Sequence, residues 1–186
     1  MELNLDHELV SRIKNLRMII FDVDGVMTDG TIYYSDAGIE IKGFDVKDGH
    51  GMKLLLRAGI ELGIITGRYS KTVELRAQEI GIRYVYQNAK VKLDAYQKIL
   101  EATGFSDEEM GYVGDDLIDI PVMKRVGWAV AVADASPHIL PFAHYVTKRP
   151  GGRGACREVC EMVLQVKGLW EKVTNRYFLK SGEVGG

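Results

Sequence analysis

The chain of 186 residues is predicted to be an α/β protein built on a doubly wound, Rossmann-like parallel sheet. Three observations predict it. Short apolar runs alternate with stretches of helical periodicity along almost the whole length. Runs such as RMIIFDV (17–23) and ELGIITG (61–67) are apolar at successive positions, which suits strands covered on both faces by helices. Their carboxyl ends carry the polar residues, where open α/β sheets place their chemistry.

The elements follow in order. The first strand, 17–23, runs into Asp22 and Asp24. Residues 30–46, GTIYYSDAGIEIKGFDV, alternate apolar and polar positions around SDAG and predict a β-hairpin flap outside the main sheet. A helix is predicted over 51–60 and a second buried strand over 61–67. Residues 69–81 predict a helix with Val73, Ala77 and Ile80 on one face and Gly81 as its C-cap. A short strand over 83–87 and a helix over 90–104, ended by Gly104, come next. Strands over 110–116, 127–133 and 144–147 precede a closing helix over 153–168. The whole is expected to be one domain over 1–178, with a glycine-rich flexible tail over 179–186.

Composition excludes several classes. A net charge of −2 suggests no nucleic-acid or polyanion surface. No apolar run approaches the ~20 residues that span a bilayer. Charges throughout Met1 to Leu16 do not fit a signal peptide, so a cytoplasmic protein is expected. The two cysteines, Cys156 and Cys160, share one helix face and are expected as reduced, half-buried thiols.

The strand ends supply the chemistry. Residues two apart on an extended chain point the same way, so Asp22 and Asp24 can address one site. The second strand ends in Thr66-Gly67-Arg68, a hydroxyl, an approachable amide and a guanidinium. After the third come Lys90 and Lys92, and after the fourth Asp115, Asp116 and Asp119. Converging carboxylates repel unless a cation sits among them. Oxygen ligands without His or Cys favour a hard ion, most simply Mg²⁺, which also binds phosphate. Thr66, the Gly67 amide and a lysine can hold the remaining phosphate oxygens. A free carboxylate and a second acid two residues on match phosphoryl transfer through an aspartyl phosphate. Each fragment alone is common in turns and helix caps; their order at successive strand ends is not.

DVDGVMTDG, ITGR, Lys92 and GDDLIDIPVM together resemble the four motifs of the haloacid dehalogenase superfamily, over nearly the whole chain. The resemblance implies that Asp22 is the nucleophile and a Mg²⁺ ligand. It implies that Asp24 gives Mg²⁺ its backbone carbonyl and serves as proton donor and then as base. Asp115 would be the third protein ligand, with Asp116 and Asp119 behind it, orienting Asp115 or Lys92. Thr66 and Gly67 would bind the phosphoryl group, and Lys92, in preference to Lys90, would neutralise it. Asp29, beside Gly30, is expected to fix the turn into the hairpin.

Longer blocks, among them FDVKDGHGMK, VAVADASP and GGRGACREVC, are similar to a branch acting on eight-carbon keto-sugar acid phosphates in lipopolysaccharide precursor synthesis. Arg68 and Arg76 are then candidates for the substrate carboxylate, with Arg68 favouring the eight-carbon over the nine-carbon acid. Arg153 could also face a site, and His50 is expected at the rim. Neither insertion point has room for the cap domain of many relatives. The resemblance therefore implies a homotetramer in which a neighbouring subunit supplies the lid, through the hairpin or the C-terminal tail. Receiver domains share the acids, Thr, Lys and Mg²⁺, but carry the acceptor aspartate on a later strand.

Overall fold

The computed structural model describes residues 6–178, and the tail predicted over 179–186 lies outside them. Six parallel strands form the sheet in the order β5-β4-β1-β6-β7-β8. They are β1 (Met18–Phe21), β4 (Glu61–Ile65), β5 (Tyr84–Tyr86), β6 (Met110–Gly114), β7 (Trp128–Ala131) and β8 (Tyr145–Val146). A separate antiparallel pair, β2 (Tyr33–Tyr34) with β3 (Glu40–Ile41), is the predicted hairpin, with Ser35 to Gly38 at its turn. It joins Tyr33 to Ile41 and Tyr34 to Glu40.

Period-two alternation divides the core. Ile19 and Phe21 face one layer, and Met18 and Ile20 the other. The first layer contains α1 (His7–Asn15), α2 (Val46–Arg57), α3 (Lys71–Ile80) and α6 (Ala155–Val166). The second contains α4 (Lys92–Thr103) and the short α5 (Ile120–Met123). A further short helix, α7 (Trp170–Thr174), follows α6. Both faces of β1 are covered, which explains its unbroken apolar run.

Several boundaries differ from the sequence expectation. The chain also has a helix, α1, in the charged N-terminal stretch, for which no element was predicted. Asp6 caps it by accepting from the Leu9 amide at 2.7 Å, and Leu9 and Ile13 are buried beneath it. Helix α2 begins at Val46, well before position 51. The Asp45 carboxylate caps it, accepting from the Lys47 amide at 2.6 Å and the Asp48 amide at 3.4 Å. Gly49 and Gly51 disguised this first half, because glycine weakens helices. Here close packing explains them. A Cβ on Gly49 would sit 2.1 Å from the Arg76 guanidinium, and one on Gly51 would sit 2.9 Å from Arg157 Cδ. Cys156 and Cys160 are wholly buried rather than half-buried, and burial pushes both thiols well above their ordinary range.

The strands at the site are shorter than predicted, ending at Phe21, Ile65 and Gly114. After β1 and β4 the next residue retains one backbone bond to the neighbouring strand, whereas after β6 the Asp115 amide turns to the Asp119 carboxylate. The Asp22 amide donates to Val113 O at 3.0 Å, and the Thr66 amide to Tyr86 O at 2.9 Å. The side chains just past the ladder are thus fixed by the sheet while the chain turns away. No helix of the described residues is long and apolar enough to cross a membrane.

Candidate active site

Adjacent parallel strands bring Asp22, after β1, beside Asp115, after β6. Oxygens of Asp22, Asp115 and Asp119 all lie within 4.8 Å of one another. The turn after β1 is tight. The Val23 carbonyl accepts from the amides of Val26 at 3.2 Å, Met27 at 2.9 Å and Thr28 at 3.0 Å. Gly25 there has φ +87°, and a Cβ would lie 2.1 Å from Asp115 Oδ2, so only glycine lets the turn approach that carboxylate.

Lys92 opens α4 and is buried to 2% exposure. Its Nζ lies 3.0 Å from Asp22 Oδ1 and donates to Asp119 Oδ1 at 2.6 Å. It also donates to the Tyr112 hydroxyl at 3.2 Å. A buried lysine is tolerable only with such partners. Lys90 is exposed at the surface, and Lys92 is the lysine brought to the acids.

Asp119 is fully committed. Its Oδ1 accepts from Lys92 and from Tyr112 Oη, both at 2.6 Å. Its Oδ2 accepts from the amides of Asp115 at 2.9 Å and Asp116 at 3.1 Å. A carboxylate offers about four lone-pair positions, so Asp119 orients Asp115 and Lys92 and has no free position for a ligand. Asp116 is different. It is exposed and caps the following turn through the Leu117 amide at 2.8 Å, with no side-chain bond to Asp115 or Lys92. A flanking cap residue looks the same in sequence as a supporting acid.

The electrostatics call for a cation. Burial, together with the charge of Asp119, raises the Asp22 carboxyl to about 7 despite Lys92. Burial and the charges of Asp22 and Asp119 raise Asp115 to about 8. One lysine does not balance three acids. A divalent ion among them fits the all-oxygen donor set.

Thr66 is buried just past β4, and its carbonyl accepts from the Ala89 amide at 3.0 Å. Gly67 leaves its surroundings open, with Ala89 O 4.0 Å from a notional Cβ. Arg68 turns toward the hairpin, donating to Glu40 and, at 3.2 Å, to Tyr34 Oη. Its Nε lies 3.6 Å from Asp24 Oδ2. Asp24 also accepts from Lys42. Neither Lys42 nor Glu40 was picked out in sequence, where both look like outward polar positions of a hairpin. Tyr112 was hidden in the same way inside an apolar strand.

Other candidates lie apart from these acids. Arg76 donates to Asp45 O and to Glu79, both at 3.2 Å, and lies over Phe44. Arg153 pairs with Asp29 at 3.2 Å, and Asp29 accepts from the Thr31 amide at 3.1 Å, holding the turn into the hairpin. His50 packs edge-on against Tyr177 at 5.7 Å. Asp48 accepts from the amides of Gly154 at 3.2 Å and Arg157 at 2.7 Å, securing the start of α6. A cavity of about 770 Å³ beside α6 touches none of the clustered acids, so it is chemistry rather than cavity size that identifies the site.

Residues 78–154 match the model of the haloacid dehalogenase-like hydrolase family. The chain is 48% identical over 161 residues to 3-deoxy-D-manno-octulosonate 8-phosphate phosphatase KdsC of Escherichia coli K12, covering 87% of this chain and 86% of that one. It is 48% identical to the crystal structure of the phosphatase of that name from Yersinia pestis, with a TM-score of 0.88 over 90% of each chain. The Moraxella catarrhalis phosphatase, solved with magnesium, phosphate and KDO, is 34% identical. There the TM-score is 0.90, over 93% of this chain and 99% of that one.

Proposed function

The chain belongs to the KdsC family of haloacid dehalogenase-like hydrolases, and from that premise we propose that it hydrolyses 3-deoxy-D-manno-octulosonate 8-phosphate to the free keto-sugar acid and phosphate. The observation that carries the reading is Asp22, a buried carboxylate held by Lys92 beside Asp115 at the end of the central strand. Asp22, Asp115 and the backbone carbonyl of Asp24 would hold Mg²⁺, which when bound supplies charge neutralisation for the transferring group.

Asp22 attacks phosphorus, forming a bond from its carboxylate oxygen as the bond from phosphorus to the sugar oxygen breaks. Asp24 gives a proton to the departing alkoxide. Water then attacks the aspartyl phosphate, Asp24 takes its proton, and phosphate leaves with Asp22 restored. Thr66 and the Gly67 amide hold phosphoryl oxygens, and Lys92 offsets the charge on Asp22 and on the group in transfer. Arg68, beside Asp24 at the foot of the hairpin, is the cation offered to the substrate carboxylate. Arg76 could serve this only across a subunit boundary.

Activity should vanish with EDTA and return with Mg²⁺. A side-by-side comparison of kcat/KM should favour the eight-carbon over the nine-carbon keto-sugar phosphate, and the opposite preference would overturn the substrate assignment.

The flap exposes Tyr33, Tyr34, Ile39 and Ile41 by 51% to 63%. Such an apolar cluster is costly in water and supports a homotetramer in which a neighbour's surface closes the site. Light scattering should then give the mass of four chains, whereas a monomer at working concentration would refute the shared lid. A cytoplasmic location is part of this reading.

A further inference from the structure

A lysine is seldom buried without a reason. Lys42 follows β3, outside the main sheet, yet its side chain is only 2% exposed. Its ammonium contacts Asp24 Oδ1 and lies 3.2 Å from Glu40 Oε1. Glu40 is paired in turn with Arg68, whose Nε returns to Asp24 Oδ2 at 3.6 Å. Asp24, Lys42, Glu40 and Arg68 thus close a ring of alternating charge. Two of its members lie in or next to the flap strand, one on the turn after β1 and one after β4.

The ring is not uniform. Among the described residues, Arg68 Nε and Glu40 Oε1 are buried without a hydrogen-bond partner. The contact of Arg68 with Asp24 is longer than a hydrogen bond. Among the described residues, Lys42 is the side chain that hydrogen-bonds Asp24. The flap itself has only two registered residue pairs, too few to hold it down unaided.

We propose that Lys42 is a positioning residue that aims the Asp24 carboxyl at the leaving oxygen and makes that aim depend on the flap being seated. The inference rests on the reading of Asp24 as proton donor. Proton donation needs hydrogen-bond reach to the leaving oxygen, and a displacement of 1 Å can cost ~100-fold in rate. With Lys42 absent, Asp24 loses its one hydrogen-bonding side chain and can swing toward Arg68.

Leaving-group chemistry separates positioning from mere support of the fold. A primary alkyl phosphate needs its alkoxide protonated, whereas p-nitrophenol departs as a stabilised anion. In the Mg²⁺-loaded protein, Lys42→Met should lower kcat/KM for a primary sugar phosphate about 100-fold. The value for p-nitrophenyl phosphate should stay within about threefold, as only the acid's contribution is lost. Lys42→Arg, which keeps a cationic donor, should restore most of the sugar phosphate activity. Equal losses on the two esters, as from a misfolded flap, would overturn the proposal, as would an undiminished rate on the sugar phosphate. Asp24→Asn serves as the reference and should show the same selective loss. If it instead loses both esters equally, the reading of Asp24 as proton donor fails, whatever Lys42 does.

Discussion

Asp22→Asn is expected to lower kcat by about 10⁴-fold or more, the scale seen when a nucleophile is removed from a covalent mechanism. The amide is nearly isosteric with the carboxylate but cannot form the acyl phosphate. The fold should survive. Asp22 sits past the end of β1, and its backbone bond to Val113 does not involve the side chain. Lys92 keeps Asp119 and Tyr112 as partners. Without metal, the variant should melt no lower than the parent, because one buried negative charge has gone from a site in excess of it. The measurement is kcat with Mg²⁺ present, paired with a melting curve. Turnover within tenfold of the parent would exclude Asp22 as nucleophile.

Lys92→Met should damage both activity and stability. Loss of a charged group that faces the developing transition-state charge costs about 10²- to 10³-fold. In addition, the change leaves Asp22 and Asp119 buried without their cation, and breaking a buried pair costs roughly 3–5 kcal/mol. The destabilisation should depend on pH in a definite direction. Asp22 and Asp115 have folded-state values of about 7 and about 8, above the ordinary 3.8. The folded protein then binds more protons than the unfolded chain between these limits, so metal-free stability falls as pH rises through that window. Removing the lysine raises both groups further and steepens the fall. Melting curves of metal-free Lys92→Met at pH 5 and pH 8 should therefore lie further apart than those of the parent, with Mg²⁺ recovering most at pH 8. Parallel pH dependence in the two proteins would refute the role of Lys92 as charge balance.

The parts legible in sequence were those fixed by local pattern. Apolar runs marked the strands because a parallel sheet buries both faces, and Gly81 and Gly104 marked helix ends because each adopts the left-handed conformation that side chains avoid. The hairpin was visible from its alternation around SDAG. The acids drew notice because charges at the tips of buried strands demand a reason. Helix α1 and the start of α2 were obscured, one by a charged surface and the other by glycines whose space is filled by Arg76 and Arg157.

Asp116 and Asp119 show where local pattern ends. They stand three residues apart in one acidic run, yet one caps a turn at the surface while the other, itself buried, accepts four hydrogen bonds. Lys42 shows the same from the other side, an ordinary hairpin lysine until the flap folds onto Asp24. Periodicity and residue type alone were enough for the sheet, the order of the strand ends and the chemical character of what they carry. Tertiary structure alone decided which lysine meets Asp22, which acid is saturated and which flap residue reaches Asp24, because those depend on burial and on distances between segments far apart in the chain.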